Sequence, residues 1–362
     1  MLTNDIQTVS PAFDKNNIPV VFATDNNFVP YLGVTIKSLV ENSSEDNNYD
    51  IVILYSNVDE YNRKRLKSLE QKNVSIRFYD MTDLMEEYKD DWYVHSNWSD
   101  AVYYRFYIPQ IFINYSKVVF LDADTIIKFD ISELFNMDIG TNQLAAVQDI
   151  PRMQDNDFHS QFIKEKLEIK CCQYFNAGVL VFNLKYINNK TFLEHSMEAL
   201  KKLENPFFQD QDVFNYIFKN NVYYLDNSYN TSWNCVHFWT NCRENLPKEI
   251  YAKYHLSLMK PKIIHYAGAY KPWKQPWLAF SEHFWYYARQ TIFYEEIIYK
   301  NTKNNSSRTI VRNAINRRKI YLQYLRCKLL KLLTFGNTRK HYKEKIDKYK
   351  KIVKDYRKTL NG

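Results

Sequence analysis

The stretch Lys117-Val118-Val119-Phe120-Leu121-Asp122-Ala123-Asp124, continued by Thr125, Ile126 and Ile127, decides the fold. Val118 to Leu121 is a short apolar run of β-branched and aromatic residues, the pattern of a strand buried on both faces. Asp122 and Asp124 then stand at its C-terminal end, where open α/β sheets bind their ligands. Two carboxylates two residues apart can turn to one side of a strand and share a hard cation. Alone, Asp-x-Asp is short, and a strand followed by an Asx-type turn reads from the same residues.

Working outward, Ile18 to Ala23 reads as a first strand. It runs into the polar turn Thr24-Asp25-Asn26-Asn27-Phe28 and a helix over Tyr31 to Val40 with apolar spacing at Leu32, Ile36, Leu39 and Val40. No Gly-x-Gly-x-x-Gly occupies that turn, so the usual dinucleotide fingerprint is missing. Asp25 and Asn27 offer side-chain hydrogen bonds to a base or ribose, or equally a cap for the helix. A strand over Tyr49 to Leu54, a helix over Glu60 to Leu69 and a strand over Val74 to Tyr79 continue the alternation, which implies a mainly parallel α/β sheet. Ser99 to Ile113 is an aromatic helical stretch carrying Arg105, either a snorkelling surface residue or a group reaching an anionic or hydroxyl-rich ligand.

Beyond the central strand, Ile131 to Phe135 reads as a short helix and Leu144 to Val147 as a strand. Tyr174 to Leu184 is a strand entered through Asn176 and Gly178, which tolerate positive φ; glycine also lets backbone approach a ligand closely. A helix over Lys190 to Leu203 precedes Gln209-Asp210-Gln211-Asp212, four polar groups where one cap would suffice, so some should face a ligand. Asn230 to Trp239, with Trp233, His237, Phe238 and Trp239, is an irregular aromatic segment for which sugar stacking, lid closure and core filling read equally. Lys262 to His265 is a last strand. It brings His265 as a candidate third ligand, with Gly268 for close backbone approach and Lys271 as a positive charge for phosphate. With Asp122 and Asp124 this makes a metal–diphosphate site.

Bulk properties bound the reading. A chain of 362 residues, 45% hydrophobic, holds one large core or two ordinary ones, and disorder of the whole is excluded. With 30 Tyr, 23 Phe and 7 Trp, it is rich in flat surfaces that suit nucleobases and sugars but mostly fill cores. Met1 to Ser10 lacks a basic start and an apolar run, and no uncharged apolar stretch reaches membrane-spanning length, so a cytoplasmic location is expected. Five cysteines without a Cys-x-x-Cys pair fit reduced thiols. Net charge is +8, but residues 308–362 hold 18 Lys and Arg against 3 acids, leaving the rest of the chain acidic. Basic groups placed in a tail rather than around the site argue against a nucleic-acid partner.

The ordered motifs Phe-Ala-Thr-Asp-Asn-Asn-Phe, Tyr-Tyr-Arg, Phe-Leu-Asp-Ala-Asp, Phe-Asn-Ala-Gly-Val-Leu, Gln-Asp-Gln-Asp and His-Tyr-Ala-Gly-x-x-Lys-Pro-Trp, across roughly Val20 to Trp273, resemble glycosyltransferase family 8. This family of retaining sugar transferases includes bacterial lipopolysaccharide galactosyl- and glucosyltransferases. The resemblance implies a single nucleotide-diphospho-sugar transferase domain, Rossmann-like, with a mixed, mostly parallel sheet, using manganese, or magnesium in its place, and a UDP-hexose donor. Carried over by motif, Asp122, Asp124 and His265 would hold the metal, with Ala123 between the two carboxylates. Ala23, Asp25 and Asn27 would lie along the uridine, and Gly268 and Lys271 along the diphosphate. Arg105, Asn176, Gly178, Asp210 and Gln211 would face the donor sugar. Asn26 stands where the family often has Asp, and Phe106 where Leu often follows the Arg.

A retaining reaction ordinarily needs a carboxylate nucleophile, yet the residue expected nearest is the amide Gln211. Front-face attack by the acceptor hydroxyl, with the departing phosphate as base, is therefore the expected mechanism, and Asp210 as nucleophile the lesser alternative. The expected acceptor is a lipopolysaccharide or other cell-surface glycan or glycolipid. A protein- or primer-glycosylating transferase of the same fold is the alternative within the enzymes, and a non-catalytic sugar-nucleotide-binding protein the alternative outside them.

The expected organisation is a catalytic domain over 1–299, a polar linker over 300–307 and a basic helical tail over 308–362. In the tail, Val311, Ile315, Leu322, Leu325, Leu329, Leu332 and Leu333 fall on one helical stripe, and Tyr342, Ile346, Tyr349, Val353, Tyr356 and Leu360 repeat as a heptad seam. The first pattern suits an anionic membrane surface at the inner face of the cell membrane, or docking on the chain's own domain. The second suits pairing with the first helix or with another subunit.

Overall fold

A computed structural model describes residues 6–89, 92, 99–153, 158–232 and 248–305, with parts of 325–347. The chain divides into two compact units, Met1–Ile297 and Ile298–Gly362. The strands are β1 (Asn17–Thr24), β2 (Asn48–Tyr55), β3 (Val74–Asp80), β4 (Val118–Leu121), β5 (Thr125–Ile127), β6 (Leu144–Gln148), β7 (Phe175–Phe182), β8 (Val222–Tyr224), β9 (Thr231–Ser232) and β10 (Ile263–His265). Seven of them form one sheet in the order β3-β2-β1-β4-β7-β6-β8. β3, β2, β1 and β4 run parallel, β7 is antiparallel to both neighbours, and β8 is parallel to β6. The expected mixed, mostly parallel sheet is present.

Period-two alternation builds two faces. Val20, Phe22, Ile51, Ile53, Val119 and Leu121 point into one apolar cluster, with helix α1 (Val29–Glu41) against them. Val21, Val52, Leu54, Val118, Phe120, Leu180 and Phe182 point into the other. That second cluster is completed by a 3₁₀ helix over Asp100–Tyr107, continued by α2 (Ile108–Ile111), and by α3 (Phe192–Leu203) and α4 (Gln209–Ile217). Burying each such side chain contributes about 1.5–3 kcal/mol. The central strands are apolar throughout because both faces are covered.

Three differences from the sequence reading bear on the site. First, β5, β10 and β9 form a second, three-stranded sheet with β10 in the middle. The antiparallel register sets His265 opposite Thr125, and the parallel one sets it opposite Ser232. Tyr266 N–H donates to the Asp124 carbonyl at 3.0 Å, so the pairing continues into the Asp-x-Asp turn. This sheet carries His265 to the carboxylates.

Second, Asn176 and Gly178 do not take positive φ; both lie within β7. The β6–β7 register shifts between Ala146, opposite Leu180, and Val147, opposite Asn176, so residues 177–179 bulge away from β6. A bulge re-aims side chains and frees backbone groups from the ladder, which is its use here. Third, residues 300–305, expected to begin a linker, continue helix α5 (Tyr294–Asn305), since nothing from Tyr294 to Asn305 is Gly or Pro. In the second unit, residues 340–347 are helical. The aromatic segment over 233–239 and most of the tail's stripe and heptad seam lie outside the described residues.

Candidate active site

β1, β4 and β6 share one direction, so Asp25, Asp122 and Asp149, each just past its strand, lie along one edge of the sheet. The cation candidates converge there. One ligand atom each from Asp122, Asp124 and His265 lie within 4.8 Å of one another. His265 Nε2 is 3.5 Å from Asp122 Oδ2 and 3.3 Å from Asp124 Oδ1, and its Nδ1 is 2.9 Å from Asn230 Oδ1. Two hard carboxylates and an imidazole suit a divalent ion such as manganese. Metal-bound histidines ordinarily have a hydrogen-bond acceptor behind the ring, and here the amide oxygen of Asn230 stands in that place. The donor set fits the metal that the motifs imply.

Cations balance these acids. Lys271 Nζ donates to Asp124 Oδ2 and, at 2.8 Å, to the Tyr266 carbonyl. Arg105, buried despite its charge, donates from Nη2 to Asp122 Oδ1 at 2.9 Å, from Nη1 to the bulged Ala177 carbonyl at 2.7 Å, and pairs through Nη1 with Asp210 Oδ2 at 2.9 Å. Its guanidinium lies 4.2 Å from the Phe120 ring centroid. Such a buried, multiply bonded arginine is not the snorkelling alternative. Burial pushes the Asp124 carboxyl up, but the Lys271 ammonium beside it outweighs burial, and the carboxyl is held well below the usual carboxylate range. At Asp210 the balance reverses: burial, with the charge of Asp122 added, overcomes Arg105 and raises the carboxyl to about 7.

The Gln-Asp-Gln-Asp run opens α4 with all four side chains buried. Gln211 Oε1 accepts from Asn176 Nδ2 and from the bulged Ala177 N–H, both at 3.0 Å. Its Nε2 donates to Asp149 Oδ2 at 3.2 Å and to the Tyr174 hydroxyl at 3.1 Å. Tyr174 in turn donates to Asp212 Oδ1 at 2.5 Å. Every donor and acceptor site of the Gln211 amide is thus taken by the protein. Asp149, pushed up by burial, lines a cavity of about 160 Å³ together with Asn176, Gln211, Asn230, Arg152 and Gly268. Gly268 sits at φ +85°, a conformation glycine takes without strain. A larger cavity, about 750 Å³, lies away from these groups against β3 and residues 6–10.

The nucleotide candidates reach the same edge without joining the cluster. Asp25 Oδ1 accepts the backbone N–H of Asn27 at 2.9 Å and of Phe28 at 3.0 Å, which closes the turn ahead of α1 but does not cap the helix, whose N-cap is Phe28 with no side-chain cap bond. Asn27 is exposed, and Ala23 is the next-to-last residue of β1. Asn26 is turned away: its Nδ2 donates to Asp59 Oδ2 at 2.9 Å, and its Oδ1 accepts from Asn62 Nδ2 at 2.8 Å. Phe106 is core, 5.3 Å from Phe214 between ring centroids. Both departures from the motif therefore stand clear of the carboxylates. The Ala123 carbonyl accepts from the Thr35 hydroxyl at 2.8 Å, holding the Asp-x-Asp turn on α1.

Asn230, Asp149 and Tyr174 escaped the sequence reading. Asp149 carries the signal that singled out Asp122, a carboxylate just past a buried strand, and could have been found by it. Asn230 lies in an irregular segment with no periodicity to place it.

The chain is 29% identical to the lipopolysaccharide 1,2-glucosyltransferase of Escherichia coli K12 over 260 residues, 70% of this chain and 72% of that one. It is 25% identical to the lipopolysaccharide 1,3-galactosyltransferase of Salmonella typhimurium LT2 over 181 residues, 49% of this chain and 50% of the other. Among solved structures, the bifunctional glycosyltransferase WbbM superposes with a TM-score of 0.70 at 32% identity, covering 81% of this chain and 53% of that one; this chain thus spans about half of that protein. The galactosyltransferase LgtC, solved with donor and acceptor sugar analogues, superposes with a TM-score of 0.65 at 24% identity, covering 76% of this chain and 96% of LgtC. The fold is therefore the α/β, GT-A-like nucleotide-diphospho-sugar transferase fold. Residues 19–276, a span that holds every group of the cluster, match Glycosyl transferase family 8, and the chain belongs to that family of glycosyltransferases.

Proposed function

We propose that this glycosyltransferase moves a hexose, galactose or glucose, from a UDP-hexose to a lipopolysaccharide or other cell-surface glycan with retention of anomeric configuration, and that it requires a divalent ion, manganese or magnesium. The observation that carries this reading is the convergence of Asp122, Asp124 and His265 on one point, with Lys271 and Arg105 beside them. Bound there, a divalent ion supplies the Lewis acid that neutralises charge on a departing diphosphate. Lys271 adds a fixed positive charge at that edge, and Gly268 lets the backbone come close. Asp25 and Asn27, past the end of β1, are assigned to the nucleoside.

The neighbours of the sugar position support front-face attack. A nucleophilic carboxylate must be ionised and free to reach carbon. Asp210 is not free to do so: it is 3% exposed and held by Arg105, and burial raises its carboxyl to about 7, so that near neutral pH a large share of it is protonated. Gln211, saturated by its four protein bonds, shapes the wall rather than attacking. Arg105 holds Asp122, Asp210 and the bulge in one arrangement, so its part is orientation. The acceptor hydroxyl then gives up its proton to the departing phosphate oxygen.

We assign catalysis to residues 1–299 and attachment to the basic tail, 308–362. Among the described residues no helix is long and apolar enough to cross a membrane. With 18 bases to 3 acids, the tail suits the anionic inner face of a cell membrane, where each base contributes about 1 kcal/mol. The seam over 342–360 is assigned to helix pairing, including pairing between two copies of the chain. A screen of UDP-glucose and UDP-galactose with manganese, with and without glycolipid extract, tests the reading. Transfer from one donor with the product's anomeric configuration unchanged is expected. Binding of UDP-sugar without UDP release in either arm, or an inverted product, would overturn it.

A further inference from the structure

Three side-chain amides, Asn176 on β7, Gln211 on α4 and Asn230 just before β9, form a hydrogen-bonded chain whose direction is fixed by backbone groups. Backbone N–H can only donate. Gly178 N–H reaches Asn176 Oδ1 at 2.9 Å, and Ala177 N–H reaches Gln211 Oε1 at 3.0 Å, so the orientation of both side-chain amides is set by the bulge of β7. Asn176 must then turn Nδ2 to Gln211, as it does at 3.0 Å, and its Oδ1 also takes Nδ2 of Asn230 at 2.8 Å. With its nitrogen so used, Asn230 presents an oxygen to His265 Nδ1 at 2.9 Å. An amide oxygen has no proton to give. The proton of that bond belongs to His265 Nδ1.

From this we infer that Asn230 is a positioning residue that holds the His265 proton on Nδ1 and so presents Nε2, lone pair outward, to the point shared with Asp122 and Asp124. The inference rests on the reading of those three residues as a cation site. Its physical content is the alternative it excludes. His265 Nε2 stands 3.5 and 3.3 Å from two carboxylate oxygens, which would draw a lone imidazole proton to Nε2 and leave the ring unable to bind a cation there. Asn230 and His265 are 7% and 3% exposed, so bulk water does not readily replace the amide as acceptor for Nδ1. The same chain couples the cation edge to the sugar wall, since Asn176 bonds both Asn230 and Gln211. Turning Asn230 over would set its oxygen against Asn176 Oδ1, which already accepts from Gly178 N–H, and lose the bond between the two amides.

The test compares wild type, Asn230→Leu, Asn230→Asp and the ligand control Asp124→Asn. Leucine has similar size and neither polar atom; aspartate keeps an acceptor for Nδ1, loses the donor to Asn176 and adds a negative charge. Long-range nitrogen–proton spectra of His265, recorded on the ion-free protein, report which nitrogen is protonated. Paramagnetic resonance titration with manganous ion in the presence of UDP reports affinity. Wild type and Asn230→Asp are expected to carry the proton on Nδ1, and Asn230→Leu on Nε2. Manganese affinity should fall about tenfold to a hundredfold in Asn230→Leu and stay near wild type in Asn230→Asp. A His265 proton that stays on Nδ1 in Asn230→Leu, or manganese binding there equal to wild type, would overturn the inference. Equal binding by wild type and Asp124→Asn would instead overturn the cation site, while the spectra still decide on Asn230. Circular dichroism of each variant separates these outcomes from loss of fold.

Discussion

Replacing Gly178 by alanine should damage the cation site while leaving most of the fold in place. A Cβ at this position would lie 2.2 Å from His265 Cε1, 2.7 Å from its Nδ1 and 2.8 Å from Asp122 Oδ2. No real Cβ tolerates such approaches, so something must move. The strand is held on the β4 side, where Asp122 N–H donates to the Gly178 carbonyl at 2.8 Å, and His265 is held behind by Asn230. The displacement therefore falls on two of the three ligand side chains. Overpacking of this kind typically costs about 1–3 kcal/mol. At 1.4 kcal/mol per factor of ten, manganese binding should weaken roughly fivefold to 150-fold if the cost appears at the site. A manganese titration of Gly178→Ala followed by paramagnetic resonance, with melting curves alongside, measures both shares. Wild-type manganese affinity and turnover in Gly178→Ala would refute the reasoning.

Gln211→Ala should slow transfer without abolishing it and should leave UDP affinity unchanged, because the amide is a wall group bonded to Asn176, Ala177, Asp149 and Tyr174; complete loss of turnover in steady-state kinetics, with UDP binding intact, would give it a direct chemical role. Burial raises Asp210 to about 7, so the folded chain keeps a proton that the unfolded chain releases near the ordinary value of about 4. The stability this group contributes is full below that ordinary value and is lost as pH rises through about 7. Urea midpoints of wild type should thus decline more steeply over this window than those of Asp210→Asn, and parallel curves would contradict the assignment. Truncation after Asn305 should leave UDP-sugar hydrolysis intact and abolish co-sedimentation with anionic vesicles at low salt; equal sedimentation by both chains would give the tail another role.

Much of the fold was legible because its signals are local. Val118 to Leu121 reads as a buried strand from composition alone, and β1, β2 and β3 follow from the same rule. The carboxylates of the Asp-x-Asp turn were legible for the same reason, standing where a strand must end. The second sheet was not, since β5, β9 and β10 are two or three residues each, too short for periodicity, and β5 pairs with β10 across more than a hundred residues. How His265 joins Asp124 depends on that pairing. The bulge at 177–179 was equally hidden: it arises from a register between β6 and β7 that neither strand encodes alone. Gly178 was noticed as a small residue near a ligand, but its use is to leave room for His265 and Asp122. Asn26 read as a variation in the nucleotide turn, whereas its partners Asp59 and Asn62 lie at the start of another helix.

Manganese dependence of UDP-hexose turnover, measured for wild type and for Asp122→Asn, Asp124→Asn and His265→Ala, bears most directly on the central claim. Wild-type UDP release should rise with manganese and vanish on chelation. Each variant should lose most of its turnover and its manganese binding while keeping the circular dichroism of the wild type, because these substitutions alter ligands rather than packing. Full turnover by the chelated wild type, or manganese-dependent activity retained in all three variants, would contradict the assignment of this cluster as the catalytic cation site.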